Sequence, residues 1–184
     1  MNGQIKSIPT TYDGIQFRSR LEAKYAAFFD LCGWKWSYEP EGFDGWIPDF
    51  SLGEVPTLVE VKPFTTADEW RECVQKIIKS GCRERVVLLG ADPTLFAWDG
   101  SAPVFGWEWD GRYEGFQEIW EINFGRTEAN GKLGLCSMIG KWDNCVWKDL
   151  SNKGSRVWLD EDGTRRILGE FWAHACNQTQ WRPS

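Results

Sequence analysis

From Arg20 the apolar positions Leu21, Tyr25, Phe28 and Cys32 recur at helical spacing. Ser19 offers an N-cap in front and Gly33 a stop behind, so the spacing predicts a first helix over that span. Trp34, Trp36 and Tyr38 then alternate with polar residues, the period of a strand, and Pro40, Gly42 and Gly45 mark a loop. A second strand is expected from about Trp46 to Leu52. Gly53 turns the chain, and a third strand runs from Thr57 to Lys62, ended by Pro63. Thr66 and Glu69 have the spacing of a capping box. Trp70, Cys73, Val74, Ile77 and Ile78 follow the i, i+3, i+4, i+7, i+8 stripe of a second helix, closed by Gly81. Arg85 to Leu89 reads as a short strand. Residues 1–90 therefore form one α-β-β-β-α-β unit of the α/β (α+β) class, a mixed sheet flanked by helices.

Past residue 91 the pattern changes. Nine of the thirteen tryptophans lie there and turn signals become frequent, which predicts a Trp-rich, β-containing stretch over 91–184. Asp110-Gly111 between Val104 to Trp109 and Arg112 to Ile122 has the form of a hairpin. Short strands are expected around Cys145 to Lys148 and Arg156 to Leu159. Asp162-Gly163 reads as a turn, and residues 166–178 as a closing helix with Ile167, Phe171, Ala175 and Trp181 on or near one face. This half is either an extension of the core sheet or a small second module.

Composition narrows the setting. Apolar content of 42% and charged content of 26% in 184 residues are ordinary for a globular chain with one good core. No run of about 18 apolar residues and no charged-then-apolar leader is present, so we expect no membrane partner and a cytoplasmic protein. The six cysteines form no regular framework and read as free thiols in a reducing compartment. A net charge of −6 excludes nonspecific coating of nucleic acid by bulk electrostatics, but not a nuclease whose carboxylates hold a cation.

One constellation demands chemistry. Pro48-Asp49 is followed, after ten residues, by Glu60-Val61-Lys62 within an apolar run. Glu60 and Lys62 are two apart in a strand and so share a face of the sheet. Ionised groups in a half-buried strand cost several kcal/mol each unless paired or bound to a cation. Metal-dependent phosphodiester cleavage is the best reason for placing them there.

Phe17-Arg18-Ser19-Arg20-Leu21-Glu22-Ala23, Tyr38-Glu39-Pro40, Pro48-Asp49-Phe50 and Val59-Glu60-Val61-Lys62 together resemble the PD-(D/E)XK nuclease superfamily. The nearest likeness is to compact phage and archaeal Holliday-junction resolvases and TnsA-like endonucleases, over about the first half of the chain. The resemblance implies a restriction-endonuclease-like core and a divalent metal held by Asp49, Glu60 and the Val61 carbonyl, with Glu22 completing the shell. Lys62 would position or help activate the attacking water. Magnesium, replaceable by manganese, suits such oxygen ligands, and retains waters for a nucleophile. Three carboxylates a few ångströms apart repel by roughly 4 kcal/mol per pair at an effective dielectric near 20, which a cation would relieve. The expected activity is that of an endodeoxyribonuclease of phage origin, working in the host cytoplasm on branched or junction DNA. Resolvases of this kind work as homodimers because two symmetric cuts are needed, although no interface stripe here demands it.

Each assignment has a plainer competitor. Glu22 stands three residues after Ser19 and could be the acid of a capping box. Asp49 follows a proline and could be a turn residue, and Glu60 with Lys62 could be a surface pair worth under about 1 kcal/mol. Nucleic-acid contacts are expected from Arg18, Ser19 and Arg20 at the start of helix one, and from Gln75 and Lys79 on helix two, with Lys76 facing solvent. Cys136, Cys145, His174 and Cys176 could in principle bind zinc, but their spacing lacks the tight knuckles of zinc modules, and core thiols are preferred. Trp107, Trp109, Trp142 and Trp147 could stack bases, but packing a small core is the better reading. A single histidine excludes ββα-metal nucleases, and no phosphate-binding loop for ATP is present. The alternative function is a nuclease fold that binds DNA or protein without cutting.

Overall fold

The computed structural model describes the backbone of residues 7–53, 57–64, 70–93, 104–110, 119–127, 133–137, 148–149, 157–158 and 161–180, and side chains over 7–53, 57–64, 72–93 and 166–180. A short hairpin, β1 (Thr10–Tyr12) and β2 (Ile15–Phe17), comes first, turned by Asp13 and Gly14 at φ 45° and 76°. It is an addition to the expected elements, although an Asp-Gly pair between alternating residues is a hairpin signal. Helix α1 (Arg20–Cys32) follows, then β3 (Trp36–Tyr38), β4 (Phe50–Leu52), β5 (Thr57–Val61), α2 (Trp70–Lys79) and β6 (Arg85–Leu89). The expected second strand is shorter than its pattern because Trp46 belongs to a turn and Pro48 has no amide to donate.

β3, β4 and β5 pair antiparallel, and β5 pairs parallel with β6. The sheet then continues beyond the first ninety residues. β7 (Val104–Asp110) pairs with β6, β8 (Ile119–Thr127) with β7, and β9 (Leu133–Ser137) with β8. Two short strands complete its described part: β10 (Lys148–Asp149) on β9 and β11 (Val157–Trp158) on β8. β9 carries no clear alternation, and the pattern does not predict it. Helix α3 (Glu161–Gln178) starts five residues before its expected position and takes in Asp162-Gly163, which does not act as a turn. The expected capping box at Thr66 and Glu69, and Trp181, lie outside the described residues.

α1 packs against the sheet on one side and against α3 on another, and α3 also touches β8. Ala23, Tyr25, Ala26, Ala27, Phe28 and Phe29 are all fully buried, more than one face of a surface helix would hide. The reason is α3: Trp172 packs 4.9 Å from the Tyr25 ring and 6.1 Å from Phe28, with Leu168 and Ala175 beside it. The Tyr25 hydroxyl donates to the Gly90 carbonyl at 2.8 Å, which satisfies the one polar atom of that side chain. On the other face of the sheet, Val74 and Ile77 of α2 cover Leu58, Val86 and Leu88. The described cysteines, Cys32, Cys73, Cys82 and Cys176, are free thiols. No helix among the described residues is long and apolar enough to cross a membrane.

Candidate active site

Phe50 pairs with Val59 and Ser51 with Leu58 across β4 and β5, so one further step of that register sets Asp49 opposite Glu60. Both carboxylates are almost wholly buried, at 1% and 3% exposure. Lys62, just past the end of β5, folds its ammonium back over them. Nζ lies 3.3 Å from Asp49 Oδ2 and 3.1 Å from the Val61 carbonyl, and pairs with Glu60 Oε1. Three oxygens thus converge on one cation. The remaining acceptors are also engaged: Asp49 Oδ1 takes Arg18 Nη2 at 2.8 Å, Asp49 Oδ2 takes the Val61 amide at 2.7 Å, and Glu60 Oε2 takes the Trp46 indole at 3.0 Å.

The electrostatics follow from this crowding. Burial, then the charge of Glu60, pushes the Asp49 carboxyl up to about 6 against the pull of Lys62 and the Val61 amide. Burial would lower Lys62, but Asp49 and Glu60 outweigh it and hold the ammonium above its usual range. Arg18 is likewise held above its ordinary value: burial is overcome by the Tyr38 hydroxyl, Asp49 and Glu39.

Glu22 takes a different place. Ser19 is the N-cap of α1, its Oγ accepting from the Glu22 amide and donating to Glu22 Oε1 at 2.7 Å. Glu22 Oε2 accepts from the Tyr38 hydroxyl at 2.6 Å and from the Arg18 amide at 3.2 Å. This is close to the capping-box reading, and it clasps the start of α1 to β3. Burial and the bond to Glu22 push Tyr38 up to about 12. Glu22 borders the same cleft, yet among the described residues no three His, Cys, Asp or Glu side chains stand close enough together to hold a metal ion. The chemistry of the set still suits one: Asp49, Glu60 and the Val61 carbonyl are hard oxygen donors that already gather a cation.

The cleft has a volume of about 560 Å³, and Arg18, Glu22, Asp49, Glu60, Lys62 and Lys76 line it. Arg18 also pairs with Glu39 at 2.8 Å, and Glu39 holds an uncommon φ of 45° to reach it. A second hollow of about 330 Å³ adjoins, lined by Ser19, Arg20, Glu22 and Lys62 among others; Arg20 Nε is buried in the chain without a hydrogen-bond partner. Gln75 and Lys79 are exposed on α2 and do not border the cleft; Lys76 is exposed, as expected, and also borders the cleft. Trp46, Tyr38 and Glu39 join the site from the structure and are not among the site residues that the sequence singles out. Two of them stand in the Tyr38-Glu39-Pro40 motif, which is the available signal.

For zinc, His174 is exposed and Cys176 half-buried against the α1–α3 core, while Cys145 and the Cys136 side chain lie outside the described residues, as do the side chains of Trp107, Trp109, Trp142 and Trp147. No family model, curated protein or solved structure matches the chain.

Proposed function

We propose that the protein is a magnesium-dependent DNA endonuclease with a PD-(D/E)XK core, hydrolysing phosphodiester bonds in the cleft around Asp49. The observation that carries this reading is the convergence of the buried carboxylates Asp49 and Glu60 and the Val61 carbonyl on one cation, the Lys62 ammonium, in the cleft. A divalent ion held by these oxygens, magnesium or manganese, supplies Lewis acidity to the phosphate and lowers the pKa of bound water. The chain's own residues do the rest. Asp49 and Glu60 bring the negative charge that retains the ion, and the Trp46 indole and Val61 amide fix their orientation. Lys62 positions the attacking water or donates to a phosphate oxygen and stabilises charge as it builds. Arg18 and Lys76 draw phosphates into a chain of net charge −6. Glu22 serves as a positioning residue that keeps Arg18 and Tyr38 in place. Branched or junction DNA is the substrate class that the resemblance implies.

Wild-type protein is expected to cut supercoiled, linear or four-way-junction DNA with magnesium or manganese, and Asp49→Asn and Lys62→Ala proteins to lose that activity. Failure of the wild type on all three substrates defeats the proposal. A second reading, a DNA-binding module without chemistry, draws on the fact that each carboxylate oxygen of Asp49 and Glu60 already has a protein donor. It predicts DNA binding that is indifferent to chelator, and no cutting.

A further inference from the structure

Between Pro40 and Pro48 the chain makes a tight loop, closed by hydrogen bonds between Phe43 and Trp46 of 2.7 and 3.2 Å and turned by Gly45 at φ 68°. The two rings stack, with centroids 5.5 Å apart and planes 23° from parallel. Ile47 follows them and is 49% exposed, one of three large apolar side chains so exposed among the described residues. Gly42 keeps it there. A Cβ on Gly42 would come within 2.8 Å of Ile47 Cγ1 and 3.1 Å of the Trp46 carbonyl, so only glycine lets the two arms of the loop close this tightly. Phe43, Trp46 and Ile47 line the same cleft as Arg18, Lys62 and Lys76.

The exposed half of Ile47, beside a stacked aromatic pair, gains no burial among the described residues. The cleft holds Arg18, Lys62 and Lys76 beside the acids Glu22, Asp49 and Glu60, so the platform matches a ligand with one flat apolar part and one anionic part that those cations can take. A nucleotide has that composition. In a duplex both faces of each base are covered by its neighbours, so the part that could meet Phe43 and Ile47 is the base of an unpaired or everted nucleotide.

Resting on the reading of this cleft as a nucleic-acid site, the geometry points to a subsite for one unpaired base on Phe43 and Ile47, with its phosphate toward Arg18 and Lys76. The subsite is tied to the acids by a single side chain. Trp46 stacks on Phe43 and donates Nε1–H to Glu60, so a base seated there bears on how Glu60 is held. The substrate class is then DNA with an unpaired strand at the cutting point, such as a flap, a gap or a splayed junction arm.

The test uses two single-stranded oligonucleotides of equal length and charge, one carrying thymines and one wholly abasic, titrated by fluorescence anisotropy in chelator at low salt. Stacking of a base on such a platform is worth roughly a five- to hundred-fold gain in affinity. The wild type is expected to prefer the thymine strand by at least about fivefold, and Ile47→Ala, whose side chain is exposed and whose fold is checked by circular dichroism, to bring the two strands within about twofold. Equal binding of both strands by wild type, no binding of either, or an unchanged preference in Ile47→Ala overturns the subsite. Cutting of duplex plasmid with magnesium is measured on the same preparation. Cutting without base preference removes the subsite and leaves the nuclease; base preference without cutting does the reverse.

Discussion

The two faces of the sheet are made by the same strands and do opposite things. Toward α1 and α3, Phe50, Val59, Val61, Val87 and Leu89 meet a layer of fully buried aromatic rings. Toward α2, Leu58, Val86 and Leu88 pack in the ordinary way, but the buried acids Asp49 and Glu60, with the half-buried Lys62 over them, interrupt the apolar surface with charge. Period-two alternation along β4 and β5 is what permits this division, because neighbours in sequence never share a face. One face stabilises; the other carries a cost in desolvation that is offset by ion pairs. Changes on the two faces should therefore separate cleanly.

The largest effect is expected on the charged face. Asp49→Asn should lower magnesium-dependent cleavage roughly a thousandfold, since losing several kcal/mol of metal-assisted stabilisation at about 1.4 kcal/mol per decade gives that scale, while the protein remains folded. Cleavage assays with a parallel thermal melt check both halves. A thousandfold loss accompanied by unfolding would blur the comparison. The reverse case is Phe28→Ala, which should cost about 3–5 kcal/mol of stability in chemical denaturation while leaving the folded fraction able to cut.

Acidity sharpens the comparison next. Asp49 titrates near 6 in the folded chain and near 4 when unfolded. Because the folded value is the higher, the stability it contributes is fully present below about pH 4 and is lost as pH rises through about 6, a change on the order of 3 kcal/mol. Denaturation of metal-free protein between pH 4 and 7 should show this fall, and Asp49→Asn should flatten it. An equal slope in both proteins would mean that the buried charge is compensated elsewhere.

The smallest effects separate Glu22 from the other acids. Ser19→Ala should cost about 1 kcal/mol through loss of the helix cap. Glu22→Gln should reduce cleavage by less than about tenfold, through loosened positioning, whereas a metal ligand would give a loss like that of Asp49→Asn. Steady-state rates of the two variants, compared side by side, decide which role Glu22 has.

Local signals make much of the frame legible in the chain itself. Ser19 and Gly33 bound α1 because an N-cap hydroxyl and a left-handed C-terminal glycine act within one turn, and the structure uses both. The strand that leads through Glu60 to Lys62 is likewise written in its own residues. What is not legible depends on how elements meet. Whether Gln75, Lys76 or Lys79 reaches the cleft depends on the rotation of α2 against the sheet, which no window of sequence contains. Glu22 is ambiguous in the sequence because a capping acid and a site acid occupy the same position at the same helix start. Trp46 has the pattern of the first residue of a strand, and only the fold brings its indole to Glu60.

The described sheet begins at β3, three residues long, and ends at β10, with two. At the β3 margin three described residues offer little unpaired backbone for another strand to extend, which guards that edge against templated pairing. If two copies assemble to cut both arms of a junction, their sheets should therefore not merge through β3.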